Sequence, residues 1–555
     1  MTVGPAPSKE LFVSMNMLRA AAAALAGTLV LTACGSGGEE EATSGGDSSA
    51  SATGADTVVE MVPVEDRELA DDQNIQIRNY SEPVGFDPAT LFRIDTEVIA
   101  LQIYEGLTSF DPLTGEPTPG LAESWDISED GLTYTFELVE NASFHHGYGP
   151  LTSKDVVYSY ERIRDPATGS PYRQDMANIV SIEAPDDYTV VITLEKPEAN
   201  FLLQVTNNHQ GQIVNQRAVE EFGADYPRNP VGTGPFYLDS WTAQSSLVLK
   251  RFDEYHQGPA SLESATFELI TDSAATETAI INGEVDAAFG TQNLSSEQYD
   301  RVAGTEDVTI ATSWANYALN WLFGPDFEPF EDAQVRRAFV MAIDMEAIAE
   351  TVAPYALQPG TSLVPPWMEE YDDSIEPIPY DPEGAKKLLA EAGYPDGFTV
   401  KVITALKPTE TAVLQQDFLS QVGIDMQFDV VEPPVFNERR QTGNHELSFR
   451  GYPAINIDTL LSGYLHSDYS APNGFNSQKI NDPELDGMLE AARAELDDDA
   501  RTEIYHEIQQ YLADQVIYPA YGYSPQSIAH KDEIMNIQPN RLATFSLYPV
   551  YRSAE

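Results

Sequence analysis

The sequence predicts an α/β protein built from more than one domain, and two observations carry that prediction. The chain has 555 residues, 42% of them apolar, which is enough for a large core and, on length alone, for two to four domains. Along it, short stretches that alternate apolar and polar residues and favour Val, Ile, Thr, Tyr and Phe are interleaved with capped stretches of helical periodicity.

Composition narrows the function classes. With 89 acidic residues against 30 basic ones, the formal charge is -59. Binding to a phosphate backbone relies on clustered Lys and Arg, so nucleic acid is excluded as a partner. The acids are scattered rather than clustered, which fits a solvated surface better than a dedicated cation site. A single cysteine rules out an internal disulfide, a cysteine metal cluster or a redox pair.

That cysteine sits at a telling place. Residues 15–34 combine Met-Asn-Met-Leu-Arg, an apolar run from Ala20 to Val30 and the small-residue end Leu31-Thr32-Ala33-Cys34. This is the pattern of a secretory signal peptide, too short to remain as a spanning helix. Cys34 stands where a lipoprotein signal places its lipidated cysteine, so residues 1–34 are expected to be the signal and Cys34 the membrane anchor. Residues 1–16 read as dispensable, with Met1, Met15 and Met17 all available as starts. Residues 35–71 are expected as a tether; Gly35 to Asp56, 22 residues of Gly, Ser, Thr and acid, would reach roughly 25 Å.

Asn74 to Tyr80 alternates as a strand, the loop Ser81 to Pro88 leaves it, and Thr96 to Tyr104 reads as a helix ending near Gly106. Asp126 to Glu137 imitates an EF-hand loop, with oxygen side chains at positions 1, 3 and 5, Gly131 at 6 and Glu137 at 12. Yet Leu132 to Leu138 alternates as a strand where calcium binding needs a helix, so a hairpin is predicted, repeated at Asp187 to Leu194. Thr152-x-x-Asp155 is a capping box that opens a helix to Arg164. His145 and His146 are adjacent, would point to opposite faces of an extended chain and have no further histidine near, so no metal site is assigned.

Gly232-Thr-Gly-Pro235 lacks the third glycine and the following helix of a dinucleotide loop and reads as a tight connection that needs glycine's backbone freedom. Strands follow at Phe236 to Trp241 and Ser245 to Arg251, then a helix from Ala275 to Asn282 and a strand at Val285 to Ala288. Trp314, Tyr317, Asn320 and Trp321 bring aromatics and amides together, and a ligand-facing wall and ordinary packing account for them equally well. Val335 to Ala349 is predicted as one amphipathic core helix, with Arg336 and Arg337 paired to local acids. Asp381-Pro382 starts a helix that Gly393 ends. Strands at Val400 to Ile403 and Met426 to Val430 flank a helix from Thr411 to Val422. Helices from Asp482 to Leu496 and Ala500 to Gln515 precede strands from Tyr518 to the end.

Eight motifs in one order go beyond this reading: Tyr104-Glu-Gly-Leu107; Leu121 to Phe136; Phe144, His145 and Gly147; Leu151 to Tyr160; Val231-Gly-Thr-Gly-Pro-Phe236; Asn282 to Asp286; Asp332 to Asp344; and Asp381 to Gly393. Over roughly residues 75 to 550 the chain resembles the extracytoplasmic solute-binding proteins, family 5, of peptide, nickel and opine importers. The resemblance implies a two-lobed periplasmic-binding-protein-like fold of the cluster C type with an extra subdomain and a central cleft. Lobe I would combine residues 72–101, 232–312 and 522–555, subdomain II would fill 102–231, and lobe III would span 313–521.

It also implies a function without catalysis: a lipid-anchored, monomeric component on the outer face of the cell membrane that captures a peptide or similar small polar solute and delivers it to an ABC permease. No cofactor or metal is expected. Glu82 and Phe86, in a loop that lines the family's cleft, are candidate contacts, as are Tyr104, Trp314, Tyr317, Asn320 and Trp321. Peptide-binding members carry a Trp-x-x-Asp segment whose acid pairs with the ligand's ammonium. Here Gly451 to Asp458 places Tyr452 at the aromatic position and Ile455 at the acid's, leaving Asp458 as the anchor of a shifted loop. Tyr464, Asn473, Phe475 and Asn476 add aromatic and amide contacts that also suit a sugar, opine or nickel complex. The competing classes are a secreted hydrolase using a carboxylate pair, against which stand the missing His-Glu-x-x-His and Gly-x-Ser-x-Gly motifs, and a surface sensor.

Overall fold

The computed structural model describes residues 61–555 except Phe92, Pro112, Leu113, Ala353, Pro354, Leu406, Tyr452, 471–473 and Glu555. The signal, Cys34, Tyr452 and Asn473 therefore lie outside the described residues. Residues 62–70, expected within the tether, run along the folded body instead: Val62 N donates to Asn536 Oδ1 at 2.9 Å, Arg67 Nη1 to Ser261 Oγ at 2.9 Å and Ala70 N to Arg552 O at 3.0 Å.

Two large sheets organise the chain. The first has seven strands in the order Phe236–Thr242, Ser246–Arg251, Ser264–Leu269, Asn74–Asn79, Ala287–Phe289, Pro525–Lys531, Val308–Trp314. Asn74–Asn79 pairs in parallel with both of its neighbours, Ile77 facing Phe267 on one side and Ala287 on the other. The second has five strands, Ile424–Val430, Phe398–Thr404, Leu447–Arg450, Leu319–Phe323, Ala520–Gly522. A smaller four-stranded antiparallel sheet holds Ala122–Ile127, Thr133–Leu138, Thr189–Leu194 and Ile179–Glu183, so the EF-hand look-alike is a hairpin. The capping box of Thr152 and Asp155 starts helix Ser153–Arg164, and Asp381 caps Pro382–Glu391 by accepting from Gly384 N at 2.8 Å.

The apolar cores show how these pieces group. One continuous core joins the first sheet to the four-stranded sheet, from Ile75 and Phe267 through Phe136 and Val190. The five-stranded sheet has its own two. Trp321, Phe339, Leu389 and Leu419 pack between it and helices Ala333–Met341, Pro382–Glu391 and Glu410–Ser420, while Leu461, Leu489, Tyr505 and Ile508 pack helices Ile457–Leu465, Pro483–Ala494 and Asp498–Gln515. The molecule is thus two-lobed, and the chain passes between its large sheets at 315–318 and again at 523–524.

Three expectations are corrected here. The single helix from Val335 to Ala349 is two, Ala333–Met341 and Met345–Val352, because Asp344 turns its side chain onto Ala347 N at 3.0 Å and restarts the helix. Arg336 and Arg337 do not pair with acids; Arg336 donates to Gln515 O at 2.6 Å and Val516 O at 3.1 Å, and Arg337 to Ala513 O at 3.3 Å, so both satisfy carbonyls at the C-terminal end of Asp498–Gln515. Gly232 and Gly234 lie outside the left-handed region. They are small because the backbone of Ile103 passes against them, and at Gly234 a Cβ would sit 2.7 Å from Gln102 O.

Candidate ligand-binding site

In open α/β sheets, ligands collect at the carboxyl ends of parallel strands, where backbone groups are left without ladder partners. Both large sheets present such an edge to the same space. On the first, Ala287–Phe289 ends in the turn Gly290 to Asn293; on the second, Phe398–Thr404 ends in the loop that leads to helix Glu410–Ser420. Gly290 has φ +81, and a Cβ there would come within 3.1 Å of the Tyr80 ring, so glycine admits both the turn and the neighbouring strand end.

Between these edges lies a cavity of about 670 Å³. The first lobe contributes Ser273, Gln292 to Ser295 and Gln298, the connections contribute Tyr317 and Ser524, and the second lobe contributes Lys407 to Ala412, Gln415, Phe449 and Tyr521. Its lining mixes amides and hydroxyls with aromatic rings and with the aliphatic side chains of Leu319, Val352 and Leu357, and Lys407 and Glu410 are its only formal charges among the described residues. Both are exposed; Lys407 sits on the loop and Glu410 opens the following helix, which Thr409 caps through Ala412 N at 3.2 Å. The opposite wall is braced: Gln292 Nε2 donates to Gln526 Oε1 at 2.8 Å, and Gln526 Nε2 donates to Tyr317 Oη at 2.9 Å. Burial raises the Tyr317 phenol above its ordinary range, so it stays neutral.

Of the candidates expected from the sequence, Tyr317 lines this cavity. Trp321 is buried behind it and orients Gln415 by donating from Nε1 to Oε1 at 3.3 Å; Asn320 is also buried and donates to Tyr518 O at 2.9 Å. Trp314 packs on Trp367, with ring centroids 5.1 Å apart. Glu82, Phe86 and Tyr104 gather elsewhere, at the seam of the first and four-stranded sheets. There Glu82 accepts from Trp241 Nε1 at 3.1 Å, Phe86 lies 5.3 Å from the Trp241 ring, and Tyr104 Oη donates to Phe86 O at 2.8 Å. Asp458 is 1% exposed and already matched, by Arg493 Nε at 3.1 Å and Ser462 Oγ at 2.8 Å. Phe475 packs against Tyr172 at 5.9 Å.

Lys407, Glu410, Gln292 and Gln298 went unnoticed in the sequence. The signal that finds them is position: each follows a strand that enters the cavity edge.

The buried His145 holds backbone together. His145 Nε2 meets Gly234 O at 2.8 Å and its own amide donates to Gly232 O at 2.9 Å; burial lowers its pKa to about 3, so it is neutral.

This geometry can be set beside known proteins. A model of the bacterial extracellular solute-binding proteins, family 5, middle region, matches residues 116–474. The chain belongs to that family. Among curated relatives, this family 5 protein is 28% identical over 476 residues to di/tripeptide-binding protein 1 of Pseudomonas aeruginosa, covering 80% of this chain and 87% of that one. Its fold is similar to that of the periplasmic binding protein DppA from Helicobacter pylori in complex with the peptide STSA, with a TM-score of 0.81 at 26% identity over 88% of this chain and 99% of that one. It is also similar to MoaA of A. tumefaciens R10 in complex with mannopinic acid, with a TM-score of 0.79 at 26% identity over 87% of this chain and all of that one. Among the described residues of the family 5 protein, no helix is long and apolar enough to cross a membrane.

Proposed function

We propose that this family 5 protein is the substrate-binding component of an ABC importer, tethered through a lipid on Cys34, which captures a peptide or similar small polar solute between its lobes and hands it to a membrane permease. The lobe boundaries proposed are those of the sequence: 72–101 with 232–312 and 522–555, the subdomain 102–231, and 313–521. No bond is made or broken in this reading, and release follows from opening of the lobes.

The observation that carries it is the cavity itself. Opposed strand edges surround it with amides and hydroxyls, and a single ammonium, Lys407, reaches it from one side. A solute that ends in a carboxylate would place that group against Lys407, where a charge-assisted hydrogen bond is the strongest contact the lining offers. Lys407→Glu is therefore expected to weaken solute binding at least about tenfold, equivalent to about 1.4 kcal/mol, in isothermal titration. Because Lys407 is exposed, the urea midpoint should stay where it is.

A second reading has specific support. Asp458 spends its charge on Arg493 and is not free to anchor a ligand ammonium, which favours an opine or a sugar acid within the same fold. The test for both is mass spectrometry of solute released by denaturing the full chain, with Cys34→Ala, purified from its own host. A ladder of short peptides supports the first reading and a single opine or sugar acid the second. Turnover of the bound compound would overturn both in favour of a hydrolase.

A further inference from the structure

We propose that closing the lobes takes up a proton at Asp175, within a buried contact where three carboxylates share one guanidinium. This rests on the reading that the two lobes close on a solute.

Residues 170–199 belong to the core of the first lobe, and the helices Ile457–Leu465 and Pro483–Ala494 belong to that of the second. The two meet directly. Ala199 N donates to Arg493 O at 3.1 Å, Lys196 Nζ lies 3.4 Å from Glu490 Oε2, and the Tyr172 ring lies 5.9 Å from that of Phe475. Inside this contact Arg493 Nε lies 3.1 Å from Asp458 Oδ2, and its Nη2 donates to Tyr469 Oη at 3.4 Å. From the other lobe Glu198, 2% exposed, accepts from Asn178 Nδ2 at 2.8 Å, and the half-buried Asp175 is hydrogen-bonded to Tyr469.

Fully ionised, the group holds two negative charges in excess. Burying such an excess in low dielectric is costly, and taking up a proton removes half of it. The groups facing Asp175 are Tyr469, Arg493, Asp458 and Glu198, each from a different element; Tyr505 faces Asp458, and Lys196, Glu490 and His466 are not among the groups acting on Asp175. Burial outweighs the help of Tyr469 and Arg493, repulsion from Asp458 and Glu198 adds to it, and the Asp175 carboxyl is raised to about 7. Burial raises Glu198 too.

With the lobes apart, Asp175 faces water and takes the ordinary carboxylate value of about 3.9. A group whose pKa is higher in the closed form favours closure fully below its open-form value, and that contribution is lost as pH rises through the closed-form value. Closure should thus weaken between about pH 4 and 7, by up to tenfold per pH unit, and level off above about 7.

The test uses the full chain with Cys34→Ala, which leaves no native cysteine, and fluorophores on the exposed sites Val180→Cys and Asp499→Cys. Bound solute is removed by unfolding and refolding, and none is added. The closed fraction read by energy transfer should fall as pH rises from about 4 and level off near 7. Asp175→Asn should remove most of that response, and Glu198→Gln, which takes away one repelling charge, should move the levelling-off to lower pH. A closed fraction that ignores pH, or a response that Asp175→Asn keeps, overturns the proposal. Because the readout needs no solute, failure to find a bound compound would count against the importer reading and leave this result standing.

Discussion

Arg493→Met is expected to cost about 3–5 kcal/mol in the unfolding transition of the second lobe, measured by urea denaturation at neutral pH. Among the described residues Arg493 is the one cation beside Asp458, whose side chain is 1% exposed, and beside Glu198, which is 2% exposed. Removing it leaves buried carboxylates with neutral hydrogen bonds but no opposite charge, and the penalty is that of an uncompensated buried charge rather than the net worth of the ion pair. Two controls separate these. Arg493→Met combined with Asp458→Leu should recover most of the loss, because a buried pair replaced by apolar groups of similar size is close to neutral. Lowering the pH should also narrow the gap between the single variant and the parent, since burial already raises the Glu198 carboxyl and protonation discharges it. A single-variant cost below about 1 kcal/mol would show that water or lobe opening already compensates the acids.

Gly232→Ala is expected to be as damaging for a different reason. A Cβ at this position would overlap the carbonyl oxygen of Ile103 and stand 2.8 Å from Tyr104 Cδ1. The two segments there cannot part easily. Gly234 N donates to Ile103 O at 2.9 Å, Phe236 N to Gln102 O at 3.0 Å and His145 N to Gly232 O at 2.9 Å, so one methyl group forces several backbone hydrogen bonds to lengthen together. The expected loss is about 3 kcal/mol, at the upper end of overpacking costs. Gly147→Ala is the contrast. Nothing lies within 4 Å of its Cβ, and only its φ of +72 opposes the change, for a cost of about 1 kcal/mol. Equal urea midpoints for the two variants would sink the close-approach argument.

Much of the fold was legible because its signals are local. The Thr152 and Asp155 capping box, the Asp381-Pro382 start and the alternation in Thr133–Leu138 are chemistry that neighbours in sequence perform on one another. The expected two-lobed α/β class agrees with the sheets and with the family's solved structures. Periodicity misled at Asp344, where the apolar spacing continues but one side chain bonds its own backbone and ends the run. The site was less legible. Phe86 and Tyr104 looked like contacts because they are aromatic and stand near shared motifs, yet aromatic rings serve packing and binding alike, and here both are buried with Trp241 and Tyr226. Lys407 and Gln292 carry no motif. Their place beside one cavity arises from sheet topology, which brings together residues more than a hundred positions apart.

The strand Pro525–Lys531 lies between Ala287–Phe289 and Val308–Trp314 in the first sheet. That sheet therefore cannot be completed until residues 525–531 have been synthesised, and its middle stays open while its other six strands are already available. Until that strand pairs, the facing edges of Ala287–Phe289 and Val308–Trp314 keep their backbone groups unmatched, so completing this sheet is a long-range step that every earlier strand must wait for.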